Sequence, residues 1–446
     1  MFNYVILGLG FGDEGKGSIV DYIAREIGQA TSYYPTVIRF NGGPQAAHNV
    51  VTPDGKHHTF SQFGSGTLAG ARTHLSRFVL VEPFALLNEA EHLTTLGVSP
   101  FELLTVEPRC AVITPFQRAA NRIREHLRGD NKHGTCGVGF GETVADDTTG
   151  IAPLRLEWHM LKHHELSLNI MRLIQERKYE EFKNNLDDLA RVLPEEVQIL
   201  RDPNAPELFN AAMATIAKRI KLCNDNAIPT NGLIFEGAQG ALLDQVYGFH
   251  PHTTWSSTTS SNVQRLLNPR GLSRDDTCRI GVIRAYHTRH GAGPFPTYNE
   301  GLTANVPDIH NGSEGWQGNF RVGWFDYVLA KWAGRLNYPL SGVALTCMDR
   351  KLTPPGEPNV RLVCECYDNQ NFDIRLRKVF DYDEDKEKFD IMTGTAVALA
   401  KCKPHYVPSY SDDDFTRIVE QCLGHDVVIT SYGMTAKDKK RSITFK

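Results

Sequence analysis

The chain has 446 residues, 41% of them hydrophobic, enough to bury one large α/β core or two ordinary domains. A formal net charge of -4, from nearly balanced acidic and basic residues, excludes a generally polycationic surface, so neither a nucleic-acid nor a membrane partner is expected. Nine cysteines without a CxxC pair, apolar runs too short to span a bilayer and an amino terminus without a basic leader point to a cytoplasmic protein with structural free thiols.

In chain order, "NYVILGLGFGDEGKG" opens with a buried strand from Tyr4 to Leu9, turns through glycines and enters a helix from about Gly17 through Ile27. "YYPTVIRFNGG" is a second strand ending in glycines. Helical patterns follow in "PFALLNEAEHLTTLG" and "RAANRIREHLRG". The charged stretch 154–217, interrupted at Pro194, Pro203 and Pro206, predicts an insertion of two or more helices. "NGLIFEGAQGALLDQVYG" repeats the strand, glycine turn and polar residue of the opening, and "CRIGVIRAYHTRHGAGPFPT" adds a strand leading into a Gly/Pro loop. After the helix-like "WFDYVLAKWAGRL" and the strand "SGVALTCMDRKL", the segments "NVRLVCECY", "FDIRLRKVFD", "HYVPSYS" and "DVVITSYG" read as a smaller antiparallel part over about 351–446. The polar run 381–388 reads as a solvated turn. The expectation is one domain over 1–446: an α/β fold with a large, mostly parallel central sheet, helical insertions and chemistry at the carboxyl ends of the strands.

"GFGDEGKG" resembles a phosphate-binding loop with one discrepancy: Gly10, Gly15 and Lys16 fit, but Gly17 stands where a magnesium-binding hydroxyl belongs. A turn built from Gly10, Gly12, Gly15 and Gly17 can bring N–H groups to phosphate oxygens, with a helix dipole and Lys16 adding positive charge. Asp13 would repel phosphate unless a cation intervenes or a proton has to be accepted. Magnesium ligation, general-base catalysis and a plain turn-forming role all fit it. His48, after "NGGPQAA", is a candidate proton donor to a transferred phosphoryl oxygen or an ordinary strand-end histidine. "FEGAQG" and "TTWSSTTSS" offer amides and hydroxyls to a heteroaromatic ring or a phosphate, and Arg289 either neutralises an anion or supports its own loop.

The segments "FGDEGKGSIVD", "VIRFNGGPQAAH", "LIFEGAQGALLD", "RAYHTRHGAGPFPT", "VGWFD" and "LTCMDR" occur in the order found in adenylosuccinate synthetases, and the resemblance spans nearly the whole chain. It implies a ligase that joins IMP and L-aspartate using GTP and Mg2+. A base removes the purine N1 proton, O6 attacks the γ-phosphate, and the amino group of aspartate displaces phosphate. By position, Asp13 resembles the base and a magnesium ligand, His48 the acid, and Lys16 with Gly12, Gly15 and Gly17 the phosphate cradle. Gln239 and Thr254 resemble contacts to the purine nucleotide. Asp349, Ser431 and Gly433 resemble the guanine pocket of GTP, and a carboxylate there favours guanine over adenine and hence GTP over ATP. The family also implies a homodimer with shared sites.

Departures from the family pattern cluster at the ligand loops. Gln45 stands for an IMP-binding asparagine, and Ala47 for a glycine whose carbonyl approaches magnesium. Cys136 replaces a phosphate-binding threonine, Val138 an arginine, and Gly150 falls near the arginine that reaches the partner subunit. In the loop that grips the carboxylates of aspartate, Arg321 remains while Gly318 and Phe320 occupy neighbouring arginine positions. Cys347 replaces a lysine of the guanine pocket. Arg321 and Arg289 are the candidate amino-acid contacts. The alternatives are a ligase for another purine nucleotide or amine, and a catalytically weak nucleotide-binding regulator.

Overall fold

The computed structural model describes residues 3–149, 154–156, 164–306, 308, 315–353, 359–369 and 371–442. Ten strands form the central sheet, in the spatial order Lys439–Arg441, Val427–Ser431, Gly342–Thr346, Thr277–Arg284, Asn3–Gly8, Leu233–Glu236, Thr36–Arg39, Arg72–Leu75, Leu104–Val106 and Lys221–Leu222. Every neighbouring pair is parallel except the edge strand Lys439–Arg441. Asn3–Gly8, Thr36–Arg39 and Leu233–Glu236 are buried at every position, which is why they read as continuous rather than alternating apolar runs. Because Asn3–Gly8 runs between Leu233–Glu236 and Thr277–Arg284, the glycine turn, "EGAQG" and the strand leading to "GAGPFP" all emerge at the carboxyl end of the sheet centre.

The first helix spans Lys16–Thr31, longer at both ends than the sequence pattern indicated, and stops at Ser32 in a left-handed conformation. The helical insertion is present as His164–Phe182, Leu186–Leu189, Pro194–Arg201 and Ala205–Ala217. Pro194 and Pro206 mark breaks in the stretch by standing in the first turns of new helices, where a missing N–H costs nothing. Met171, Ile174, Phe182 and Met213 of this insertion share one apolar core with Leu75, Leu104 and Val106 of the sheet.

The carboxyl-terminal part departs most from expectation. Arg361–Tyr367 and Pro404–Ser409 do pair antiparallel. "FDIRLRKVFD" is instead a helix, Phe372–Arg377, followed by a 3-10 turn, Lys378–Asp381. Phe372 and Leu376, four residues apart, bury one face, and Asp373 pairs with Arg377 along the helix. "DVVITSYG" belongs to the main sheet, parallel to Gly342–Thr346. The polar run 381–388 is a turn that continues into the helix Asp385–Leu399, with Asp385 and Glu387 favourably placed in its first turn. The "VGWFD" motif has a structural purpose. Asp326 caps the helix Tyr327–Leu336 through the Leu329 N–H at 3.0 Å and accepts the Tyr367 hydroxyl at 2.6 Å. No described helix is long and apolar enough to cross a membrane.

Candidate active site

A cleft of about 600 Å³ opens over the carboxyl end of the sheet. Its floor is the glycine turn, where Gly12, Asp13 and Gly15 have φ of 96°, 59° and 91°. Gly17 is required for close packing: a Cβ there would lie 2.7 Å from the His48 Cβ and 3.0 Å from the Ser65 hydroxyl. The position that contradicts a P-loop is therefore the one that lets His48 approach. Part of the expected cradle is also already filled. The Glu14 carboxylate accepts the Gly10 and Gly12 N–H groups at 3.0 and 2.9 Å and forms a buried ion pair with Lys16. The phosphate donors of this turn are accordingly concentrated around Gly15, Lys16 and Gly17, at the start of the helix.

Asp13 faces the cleft with its side chain 20% exposed, its Oδ2 3.3 Å from His290 Nε2. Burial pushes its carboxyl upward, but the His290 hydrogen bond and the charges of His290, Arg284 and Lys16 outweigh that and hold it below the ordinary 3.8. His48 opens the strand His48–Val51, and its Nδ1 is 2.5 Å from Glu236 Oε1. Glu236 also accepts the Ser65 N–H at 2.9 Å and the Ser65 hydroxyl. Burial alone would raise Glu236; Arg39, His48 and Ser65 reverse this and bring it to about 2. Burial pushes His48 below 6.5 against the pull of Glu236, so the resting pair is a neutral imidazole donating from Nδ1 to an ionised glutamate.

Gln45, Ala47, Cys136, Gln239 and Thr254 line the same cleft. Both polar atoms of the Gln45 amide and the Gln239 amide oxygen are buried without a protein partner, as expected of groups that await a ligand. The Cys136 thiol is pushed up to about 12 by burial and by Asp13, so it stays neutral. Asp349, Ser431 and Gly433 form the other end of the cleft. There the Gly433 carbonyl accepts the Ser431 hydroxyl at 3.1 Å and the buried Lys439 ammonium at 3.0 Å. Asp349 is exposed, its nearest cation Arg350 at 3.8 Å.

The two candidate amino-acid contacts behave differently from the rest. Arg289 borders the cleft, but its guanidinium donates to the carbonyls of Ala292, Pro294 and His252 at 3.2, 2.8 and 3.1 Å and stacks 4.1 Å over Phe11. Three of its five N–H groups thus support neighbouring backbone, the structural alternative for this residue. Arg321 does not line the cleft; it donates to the Gly293 carbonyl at 3.0 Å. The two arginines are directly opposite each other on paired strands, and the Arg321 Nε is buried without a protein partner. Gly150 lies outside the described residues.

Residues of the site not singled out in the sequence include Glu14, Glu236, Arg284, His290, Arg124 and Arg128. Arg124 and Arg128 bring positive charge to the wall behind Cys136. Arg124 is clamped by Glu142 at 2.7 Å and by Glu181 of the insertion at 2.5 Å, while buried Lys178 reaches Glu142 and Asp146 at 2.9 Å each. The insertion thus braces the cleft wall. The position of Glu236 in "FEGAQG", at the end of a buried strand, was the one local signal that could have found it.

The ionised Asp13 carboxylate and the Ala47 carbonyl, both on the cleft, are hard oxygen donors of the kind magnesium takes. The described residues contain no cluster of three metal-ligating side chains, so a cation here would draw the rest of its shell from phosphate and water.

The sequence model of the family Adenylosuccinate synthetase matches residues 5–439. Adenylosuccinate synthetase of Halothermothrix orenii is 32% identical over 430 residues, covering 94% of this chain and 90% of that one. The protein of the same name from Methylococcus capsulatus is 32% identical over 454 residues, covering 98% and 97%. The fully ligated adenylosuccinate synthetase from Plasmodium falciparum superposes with a TM-score of 0.73 at 21% identity, over 99% of this chain and 100% of that one, and so shares its fold. The retained glycine turn and the match over nearly the whole length lead to one conclusion: this chain belongs to the adenylosuccinate synthetase family of GTP-dependent carbon–nitrogen ligases.

Proposed function

We propose that the chain phosphorylates O6 of IMP, or of a close 6-oxopurine nucleotide, with GTP, and then aminates the activated carbon with L-aspartate. The observation that carries this reading is Asp13: an ionised carboxylate on the phosphate turn, in one cleft with Lys16 and with the His48–Glu236 pair. Asp13 takes the N1 proton and makes O6 the nucleophile. Lys16, drawn from Glu14, meets the charge of the transferred phosphoryl group. His48, with a carboxylate behind its Nδ1, gains a proton as phosphate enters and donates from Nε2 to a phosphate oxygen. The unpartnered Gln45 and Gln239 amides read the polar edges of the acceptor nucleotide, beside Thr254 and Cys136. Asp349 accepts from guanine N1 and its amino group, with Ser431 and Gly433 framing the base. Mg2+, when held by the Asp13 carboxylate and the Ala47 carbonyl, neutralises phosphate charge. The reading extends to a homodimer.

The test is Asp13→Asn, assayed for GDP and succinyl-purine formation by mass from GTP, IMP and aspartate. Loss of about 10³-fold or more is expected for a base that also meets the metal; a rate near wild type would end the assignment.

A second reading, with another amine in place of aspartate, is favoured by one observation. Arg124, Arg128 and Arg284 already hold carboxylates, and Arg289 holds carbonyls. Competition of aspartate with a panel of amines for the phosphorylated purine separates the two readings.

A further inference from the structure

Asp13 has the left-handed φ of 59° in the glycine turn, which sets where its Cβ lies but leaves the rotamer of its carboxylate to side-chain contacts. Two contacts from the strand His287–His290 reach this turn: the Thr288 hydroxyl lies 3.5 Å from the Gly12 carbonyl, and His290 Nε2 lies 3.3 Å from Asp13 Oδ2. The antiparallel partner strand Phe320–Gly323 places Phe320 directly opposite His290, with ring centroids 4.9 Å apart and planes tilted by 59°. Phe320 is one of the positions where the loop departs from an arginine-rich family pattern. The substitution that subtracts a carboxylate donor therefore adds an aromatic wall beside the imidazole next to Asp13.

We propose that His290, buttressed by Phe320, is a positioning residue for Asp13: its imidazole N–H engages Oδ2 and leaves the other carboxylate oxygen to take the purine N1 proton. The proton leaves N1 and ends on Asp13; His290 neither gains nor loses one. A carboxylate held in one rotamer starts closer to the reactive geometry than one free to rotate about its side-chain bonds. His290 contacts no substrate in this scheme and acts only through Asp13. The inference rests on the reading of Asp13 as the base.

The test uses the full-length enzyme with GTP and IMP, following single-turnover GDP formation alongside equilibrium binding of each nucleotide. His290→Val should slow the chemical step by about 10- to 100-fold, with both nucleotide affinities and the thermal unfolding midpoint unchanged. His290→Gln retains an N–H donor and should recover most of the rate. On the residual activity of Asp13→Asn, adding His290→Val should cost nothing further, because the group it positions is gone. Wild-type turnover in His290→Val, or a fully additive loss on Asp13→Asn, would overturn the positioning role. The two assignments fail separately: an active Asp13→Asn removes the base itself, whereas an inactive Asp13→Asn beside a fully active His290→Val removes only the part given to His290.

Discussion

Glu236→Gln keeps the shape behind His48 and removes its charge. Three donors converge on this carboxylate: His48 Nδ1 at 2.5 Å, the Ser65 N–H at 2.9 Å and the Ser65 hydroxyl. A glutamine has one acceptor oxygen, and its NH2 must then face a donor. A buried donor left without an acceptor costs about 1–3 kcal/mol, and the loss of charge near buried Arg39 brings the expected destabilisation to about 2–4 kcal/mol. The pH dependence has a definite sign. Glu236 titrates at about 2 when folded against an ordinary 4.5. Its contribution is therefore complete above pH 4.5 and is lost as pH falls toward 2, a span of about 3 kcal/mol by linkage. The variant should lack that component in urea unfolding midpoints measured between pH 7 and pH 3. Catalysis should fall as well. A neutral amide behind Nδ1 no longer stabilises the doubly protonated ring, and rapid-quench GDP formation should slow about 10²-fold. A variant within about 0.5 kcal/mol of wild-type stability, a change typical of inert surface sites, and with an unaltered transfer rate would refute the coupling of Glu236 to His48.

Three further outcomes follow from the same geometry. Gly17→Ser completes a P-loop consensus, yet its Cβ would meet the His48 Cβ at 2.7 Å; GDP formation should drop about tenfold or more as His48 is displaced, where a true P-loop would gain. Asp326→Ala removes a helix cap and orphans the buried Tyr367 hydroxyl, costing about 2–4 kcal/mol in denaturant unfolding with substrate KM values unchanged. At pH 8, mass-mapped iodoacetamide labelling should reach the exposed Cys366 first and spare Cys136, whose thiol is held at about 12 by burial and Asp13; early Cys136 modification would contradict the neutral environment assigned to it.

Much of this architecture is written in short-range signals. The apolar run ending at Leu9, the glycines from Gly10 to Gly17 and the strand before "EGAQG" each specify a local conformation, because strand burial and left-handed turns are decided within a few residues. Asp13 and Lys16 were legible as polar residues within the glycine turn, and His48 through the family resemblance of its segment. The segment "FDIRLRKVFD" was misread because its apolar positions serve a strand or a short helix equally well, and the choice was made by the core that receives Phe372 and Leu376.

What the chain alone determined, then, is the fold class, the glycine turn and the polar residues that line the cleft. The tertiary structure decided which groups stand behind them. Glu236 reaches His48 across 188 residues because Glu236 ends a strand of the parallel sheet and the separate two-stranded sheet that begins at His48 is brought against that end. His290 reaches Asp13 because a distant pair of antiparallel strands brings it beside the glycine turn. Arg289 and Arg321, free donors by composition, donate to the carbonyls of loops that pass beside them, Arg289 at the border of the cleft and Arg321 outside its lining. Whether a charged side chain binds a ligand or braces a loop depends on partners that are local in space and remote in sequence, and a linear pattern carries no record of them.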